Sequence, residues 1–81
     1  MPKIQRSNVP PDLIRHLLRR AREREITLEA LQQILRWIES CPTVPTGDWY
    51  KRFQGVTVCG RDSLVRTLLT PSQSARGIEI E

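Results

Sequence analysis

Arg15, Arg19 and Arg22 stand at i, i+4 and i+7, a spacing that on a helix lays three guanidiniums along one stripe. A guanidinium matches a phosphate bidentately, so a row of them can follow a nucleic-acid backbone. His16 and Arg20 fall on the other flank of the same stretch. These residues also suit a plain solvated face. Arginine is a strong helix former whose stem covers apolar surface, and Glu23 and Glu25 stand close enough to offset part of the charge. A second concentration, Trp49-Tyr50-Lys51-Arg52-Phe53, interleaves three of the chain's four aromatics with two cations. That composition fits base stacking beside phosphate neutralisation, and it equally fits a protein-binding hot spot. In a strand Trp49 and Phe53 would share a face and complete a small core, leaving Tyr50 and Arg52 on the other face.

Covalent and metal chemistry find less support. His16 is the single histidine, and histidine is the side-chain type best suited to proton transfer near neutrality. No Ser or Cys has a neighbouring base in a recognisable pattern, and Gly60 alone does not make a phosphate loop. Cys41 and Cys59 lie far from His16 in sequence, so no zinc-type ligand spacing exists; no metal and no cofactor are expected. The N-terminal stretch lacks the apolar segment of a signal peptide and no apolar run approaches the length of a membrane span, so a cytoplasmic protein with free thiols is expected. Charge is unevenly placed. Residues 1–24 carry seven Lys/Arg against Asp12 and Glu23, residues 25–48 carry Arg36 against four acids, and residues 49–81 carry five cations against three acids, for a net charge of +4. Two basic regions thus flank an acidic helix, an asymmetry that bears on partners rather than on fold.

Eighty-one residues make one small domain, 1–81, with a modest apolar fraction of 38%. Such a core is marginal, and pairing into a homodimer or with a dedicated partner would add burial. Residues 1–10 read as an arm or short strand. Pro10-Pro11-Asp12 is a helix entry, and Leu13, Ile14, Leu17, Leu18 and Ala21 recur at helical spacing, which predicts a helix from Pro11 to Glu25. Thr27 caps a second helix with Leu28, Leu31, Ile34, Leu35 and Ile38 on its apolar face, stopped by Pro42. The short connection makes residues 11–40 an antiparallel or sharply angled helical hairpin. Residues 41–48 form a Pro-rich crossing linker. In residues 49–81 one or two strands span Trp49 to Cys59, Gly60-Arg61-Asp62-Ser63 is a four-residue turn, and Leu64 to Leu69 returns with mixed alternation. A polar loop, Thr70 to Gly77, then leads to a short edge strand at Ile78-Glu79-Ile80-Glu81. The expected fold class is α+β, an N-terminal helical hairpin packed on a C-terminal three-stranded antiparallel β-meander.

A helical hairpin, a crossing linker and an arginine-bearing meander resemble the RelE/ParE-type toxin scaffold and the small RNase-like folds related to it. The resemblance is topological. It is carried by residues 11–40, by Tyr50-Lys51-Arg52 and Arg61, and by Leu64 to Leu69. Active members of that group use basic and aromatic side chains on the sheet to bend RNA and stabilise a charged phosphorane without metal. The resemblance implies such parts for Tyr50, Lys51, Arg52, Arg61 and Arg66, and a first strand drawn from Lys3 to Val9. No base–acid pair can be assigned, so no catalytic residue is named; an enzyme of this kind would be a metal-independent ribonuclease. Two readings stand. In the first the protein contacts RNA or another nucleic acid, in a toxin-like manner, through Arg15, Arg19, Arg22, Tyr50, Lys51, Arg52, Arg61 and Arg66. In the second it is a protein–protein adaptor or regulatory subunit that docks a partner protein through Trp49 and Tyr50, its arginines serving solubility and steering.

Overall fold

A computed structural model describes residues 2–81. Met1, part of the expected arm, lies outside the described residues. The elements run α1 (Pro11–Arg22), α2 (Leu28–Glu39), β1 (Asp48–Phe53), β2 (Val56–Arg61), β3 (Leu64–Leu69) and β4 (Ile78–Ile80), an α+β arrangement in which the helices precede the strands. Pro11 opens α1 and Asp12 sits in its first turn, while Thr27 caps α2 by accepting a hydrogen bond from the Ala30 amide at 3.0 Å. Among the described residues no helix is long and apolar enough to cross a membrane.

Helix α1 ends three residues before the predicted Glu25. Arg24 takes φ +62, its amide donates to Ala21 O at 3.2 Å, and the Glu25 amide donates to Arg20 O at 2.8 Å. This is a Schellman ending with arginine where glycine is usual. The reversal is needed because Ile26, only 4% exposed, must turn back into the core before α2 begins. Helix α2 also departs from the predicted pattern at its start: Leu28 is 70% exposed, and Ala30 is buried in its place beside Leu31, Ile34 and Ile38. A first-turn residue points along the helix start rather than down onto the sheet.

The sheet has four strands in the order β3-β2-β1-β4, one more than the predicted meander. β1–β2 and β2–β3 pair antiparallel as expected, and β4 joins the far edge parallel to β1, with Trp49 opposite Ile78 and Lys51 opposite Ile80. The predicted four-residue turn contracts to Asp62-Ser63, because Gly60 and Arg61 pair with Val65 and Leu64. Among the described residues, 2–10 add no strand to this sheet. Lys3 forms an isolated bridge with Thr43, and the amides of Ile4 and Val44 bond Pro42 O and Pro2 O at 3.0 and 2.8 Å, so the arm clips the linker and buries Ile4 and Val44.

Registered pairs share a face, which sorts the sheet into two sides. Trp49, Lys51, Phe53, Val56, Val58, Gly60, Val65 and Leu68 face the helices; Tyr50, Arg52, Thr57, Cys59, Thr67 and Leu69 face the other way. α2 packs over β1 and α1 over β3. Trp37 of α2 meets Trp49 edge-on at 5.8 Å and Phe53 at 6.0 Å. Trp49 is fully buried, and its Nε1–H donates to Asp62 O at 2.9 Å. A Cβ at Gly60 would collide with the Trp49 ring and with Leu64 O.

Two stability outcomes follow from these contacts. Gly60→Ala should cost ~3 kcal/mol, since ring and carbonyl must both move; a urea midpoint equal to wild type would refute the contact. Arg24→Gly should instead stabilise by about 0.5–1 kcal/mol, relief of the left-handed strain exceeding the added unfolded-state entropy. Thermal melts of the two proteins side by side read the sign directly.

Candidate functional site

Helix geometry divides the cations of α1. Arg15, Arg19 and Arg22 are exposed, and Arg15 is bridged to Asp12 at 2.8 Å with both side chains more than three-quarters exposed. Such a wetted pair contributes little. His16 and Arg20 lie on the flank that meets β3. With Pro10, Asp12 and Leu13 from the helix side and Arg66, Thr67 and Leu68 from β3, they line a groove of about 400 Å³. Arg20 is more enclosed than Arg15, its side chain 22% exposed against 76%, and it lies 4.0 Å from Glu25. Among the described residues no hydrogen bond or ion pair engages the side chains of His16 or Arg66.

Arg66 reaches this groove because of a β-bulge. Cys59 is registered with Thr67 but Gly60 with Val65, so Arg66 is the extra residue of β3, exposed at the outer edge of the sheet. Without the bulge Val65 and Leu68 could not both face the helices.

The remaining predicted residues sit elsewhere. Lys51 is on the helix-facing side, its ammonium 6.0 Å from the Trp37 ring and 5.5 Å from the Phe53 ring. Tyr50 and Arg52 occupy the opposite face as expected, the Arg52 guanidinium 5.6 Å from the Tyr50 ring and the Tyr50 hydroxyl donating to Glu79 Oε1 at 3.2 Å. Arg61, exposed, is cross-strand from Asp48. The structure therefore brings Arg66 together with α1 and leaves Lys51 and Arg52 on β1, beneath α2 and on the opposite face respectively. Full burial removes Trp49 from any docking patch; only Tyr50 of that pair remains accessible.

Arg76, which the sequence did not single out, stands beside Arg66. The loop from Thr70 to Gly77 connects β3 to β4 and passes over the sheet face that the helices leave open. It brings Ser74, Ala75 and Arg76 beside Asp48, Cys59, Arg66 and Thr67 around a second cavity of about 300 Å³. Thr70 anchors the loop, its amide donating to Gln73 Oε1 at 2.9 Å and its carbonyl accepting from the Gln73 amide at 3.0 Å. Gly77 closes it at φ +102, where a Cβ would strike the Asp48 backbone. Only this loop's position over the sheet reveals Arg76, and no spacing in the sequence signals it.

Chemically the groove offers one imidazole and two guanidiniums, enough to hold a phosphate and exchange one proton. The carboxylate lining the groove, Asp12, forms a surface bridge to Arg15, and among the described residues no contact sets it against His16 as an acid–base pair. Among the described residues no group of three His, Cys, Asp or Glu is placed to hold a metal ion. Both cysteines are free, Cys41 exposed and Cys59 half-buried, and burial pushes the Cys59 thiol above its ordinary range. Comparison with protein-family models, curated proteins and solved structures gives no match.

The thiol shift has a checkable sign. A raised pKa keeps Cys59 protonated to higher pH in the folded chain, so its alkylation by iodoacetamide should reach half-maximal rate at higher pH folded than in urea. Coincident pH profiles would contradict the burial account.

Proposed function

We propose that this protein binds single-stranded nucleic acid, RNA foremost, by seating backbone phosphate in the groove between α1 and β3. The observation that carries the reading is the convergence of His16 and Arg20 from α1 with Arg66 from the β3 bulge on one groove, with no other partner for His16 and Arg66 among the described residues. Guanidiniums from two separate elements can grip a phosphate from two directions, which a single solvated helix stripe cannot. Arg15, Arg19 and Arg22 extend the positive surface and attract the polyanion over a longer range. The resemblance to RelE/ParE-type scaffolds supports the same ligand class. Binding is favoured over cleavage because, among the described residues, no acid–base partner is set against the groove's one imidazole.

The test is fluorescence anisotropy with a labelled single-stranded RNA of about 12 nucleotides across a salt series. Wild type should lose affinity steeply with salt. Arg20→Gln and Arg66→Gln should each weaken binding and make the logarithmic salt slope shallower by about 0.7, one phosphate contact on a single strand. Arg36→Gln on α2, outside the groove, should bind as wild type. Absence of binding even at low salt would move the function to a protein partner; unchanged slopes in both groove variants would remove the groove from the site.

A further inference from the structure

The α1–β3 groove does not end at the edge of the sheet. Arg66 and Thr67 line it, and the same two residues line the second cavity under the 70–77 loop. The bulge makes this sharing possible, since Arg66 as the extra residue sits at the outer edge with one cavity to either side. Across the second cavity stands Arg76, held in place by the Thr70 turn before it and by Gly77 against Asp48 after it. No hydrogen bond or ion pair engages its side chain among the described residues.

We infer that Arg20, Arg66 and Arg76 form one track for at least two consecutive phosphates, which carries a single strand of RNA from the α1–β3 groove around the β3 edge onto the open face of the sheet. The inference rests on the reading of the groove as a phosphate site and names its substrate as a flexible strand. Arg20 and Arg66 flank the first phosphate, and Arg66 and Arg76 flank the next. Three carboxylates stand by the track: Asp12, bridged to the exposed Arg15; Glu25, 4.0 Å from Arg20; and Asp48, cross-strand from Arg61 with no ion pair among the described residues. The hydroxyls of Thr67 and Ser74 line the second cavity and can donate to phosphate or ribose oxygens. An A-form duplex is a stiff rod and cannot bend around a sheet edge into cavities on both sides, whereas an unpaired strand can.

The experiment compares the labelled single strand of about 12 nucleotides with a duplex of the same length and with inorganic phosphate. Phosphate occupancy is followed by the NMR shift of the His16 ring. Arg76→Gln should weaken the single strand by roughly 3–10-fold and reduce the salt slope by about 0.7, while phosphate binding at His16 stays as in wild type. Arg76→Lys should restore most of the slope, which separates the charge from any role in loop shape. Arg20→Gln should weaken both the strand and phosphate. Wild-type affinity of Arg76→Gln for the single strand, with Arg20→Gln weakened, would overturn the track and leave the groove standing. A duplex bound as tightly as the single strand would overturn it too. Loss of neither ligand in Arg20→Gln would sink the groove reading and the track with it.

Discussion

The Trp49 indole occupies the space where a side chain at position 60 would otherwise stand, and the rest of the fold is arranged around that contact. The ring is fully buried, and its one polar atom is satisfied by Asp62 O at 2.9 Å, so burial carries no unmet hydrogen bond. Asp62 also binds the end of the linker: its amide donates to Gly47 O at 3.0 Å and its carboxylate accepts from the Gly47 amide at 2.7 Å. The start of β1 and the β2–β3 turn are thereby held together by one residue in a left-handed conformation, φ +52. Trp37 meets the indole edge-on and so fixes α2 over β1. With α2 placed, the short reversal through Arg24 leaves α1 little choice but to lie over β3. The groove between α1 and β3 is thus a downstream consequence of how one tryptophan is accommodated.

Much of this was legible in residue spacing. The two helices, the proline stop, strand character between Trp49 and Cys59 and the short terminal strand all announce themselves by periodicity and turn chemistry. What was not legible depends on tertiary partners. Leu28 fits the 3.6-residue pattern but stands in the first turn of α2, beyond the edge of what the sheet can cover. The parallel pairing of β4 with β1 requires a loop to cross a whole sheet face, which local sequence does not encode. Arg24 in a left-handed position is invisible to any rule that looks for glycine at a helix end.

The bulge in β3 is the instructive case. The mixed alternation of Leu64 to Leu69 is the mark that the bulge leaves on the sequence: Val65 and Leu68, three apart, both face the helices because Arg66 is inserted between their rows. A strict strand would have put Arg66 and Leu68 on one face and Val65 on the other, burying a charge or exposing the core. The bulge resolves that conflict by expelling Arg66 to the edge. The residue that the fold cannot bury becomes the residue that two cavities share.

The arginines of α1 were the strongest signal in the sequence, yet the regular row is not where a phosphate gains most. Arg15, in the row, is 76% exposed and already bridged to Asp12, so a ligand there competes with an existing partner in full solvent screening. Arg20, one step around the helix, is 22% exposed and stands 4.0 Å from the Glu25 carboxylate. Partial enclosure lowers the local dielectric and strengthens each charge–charge interaction. It also keeps the side chain near its bound geometry, so less rotamer freedom is lost when a ligand arrives. The row supplies long-range attraction that falls with salt, and the enclosed flank supplies contact. In a domain too small to bury charge outright, the cleft between a helix and an edge strand is a place where arginines can be partly desolvated.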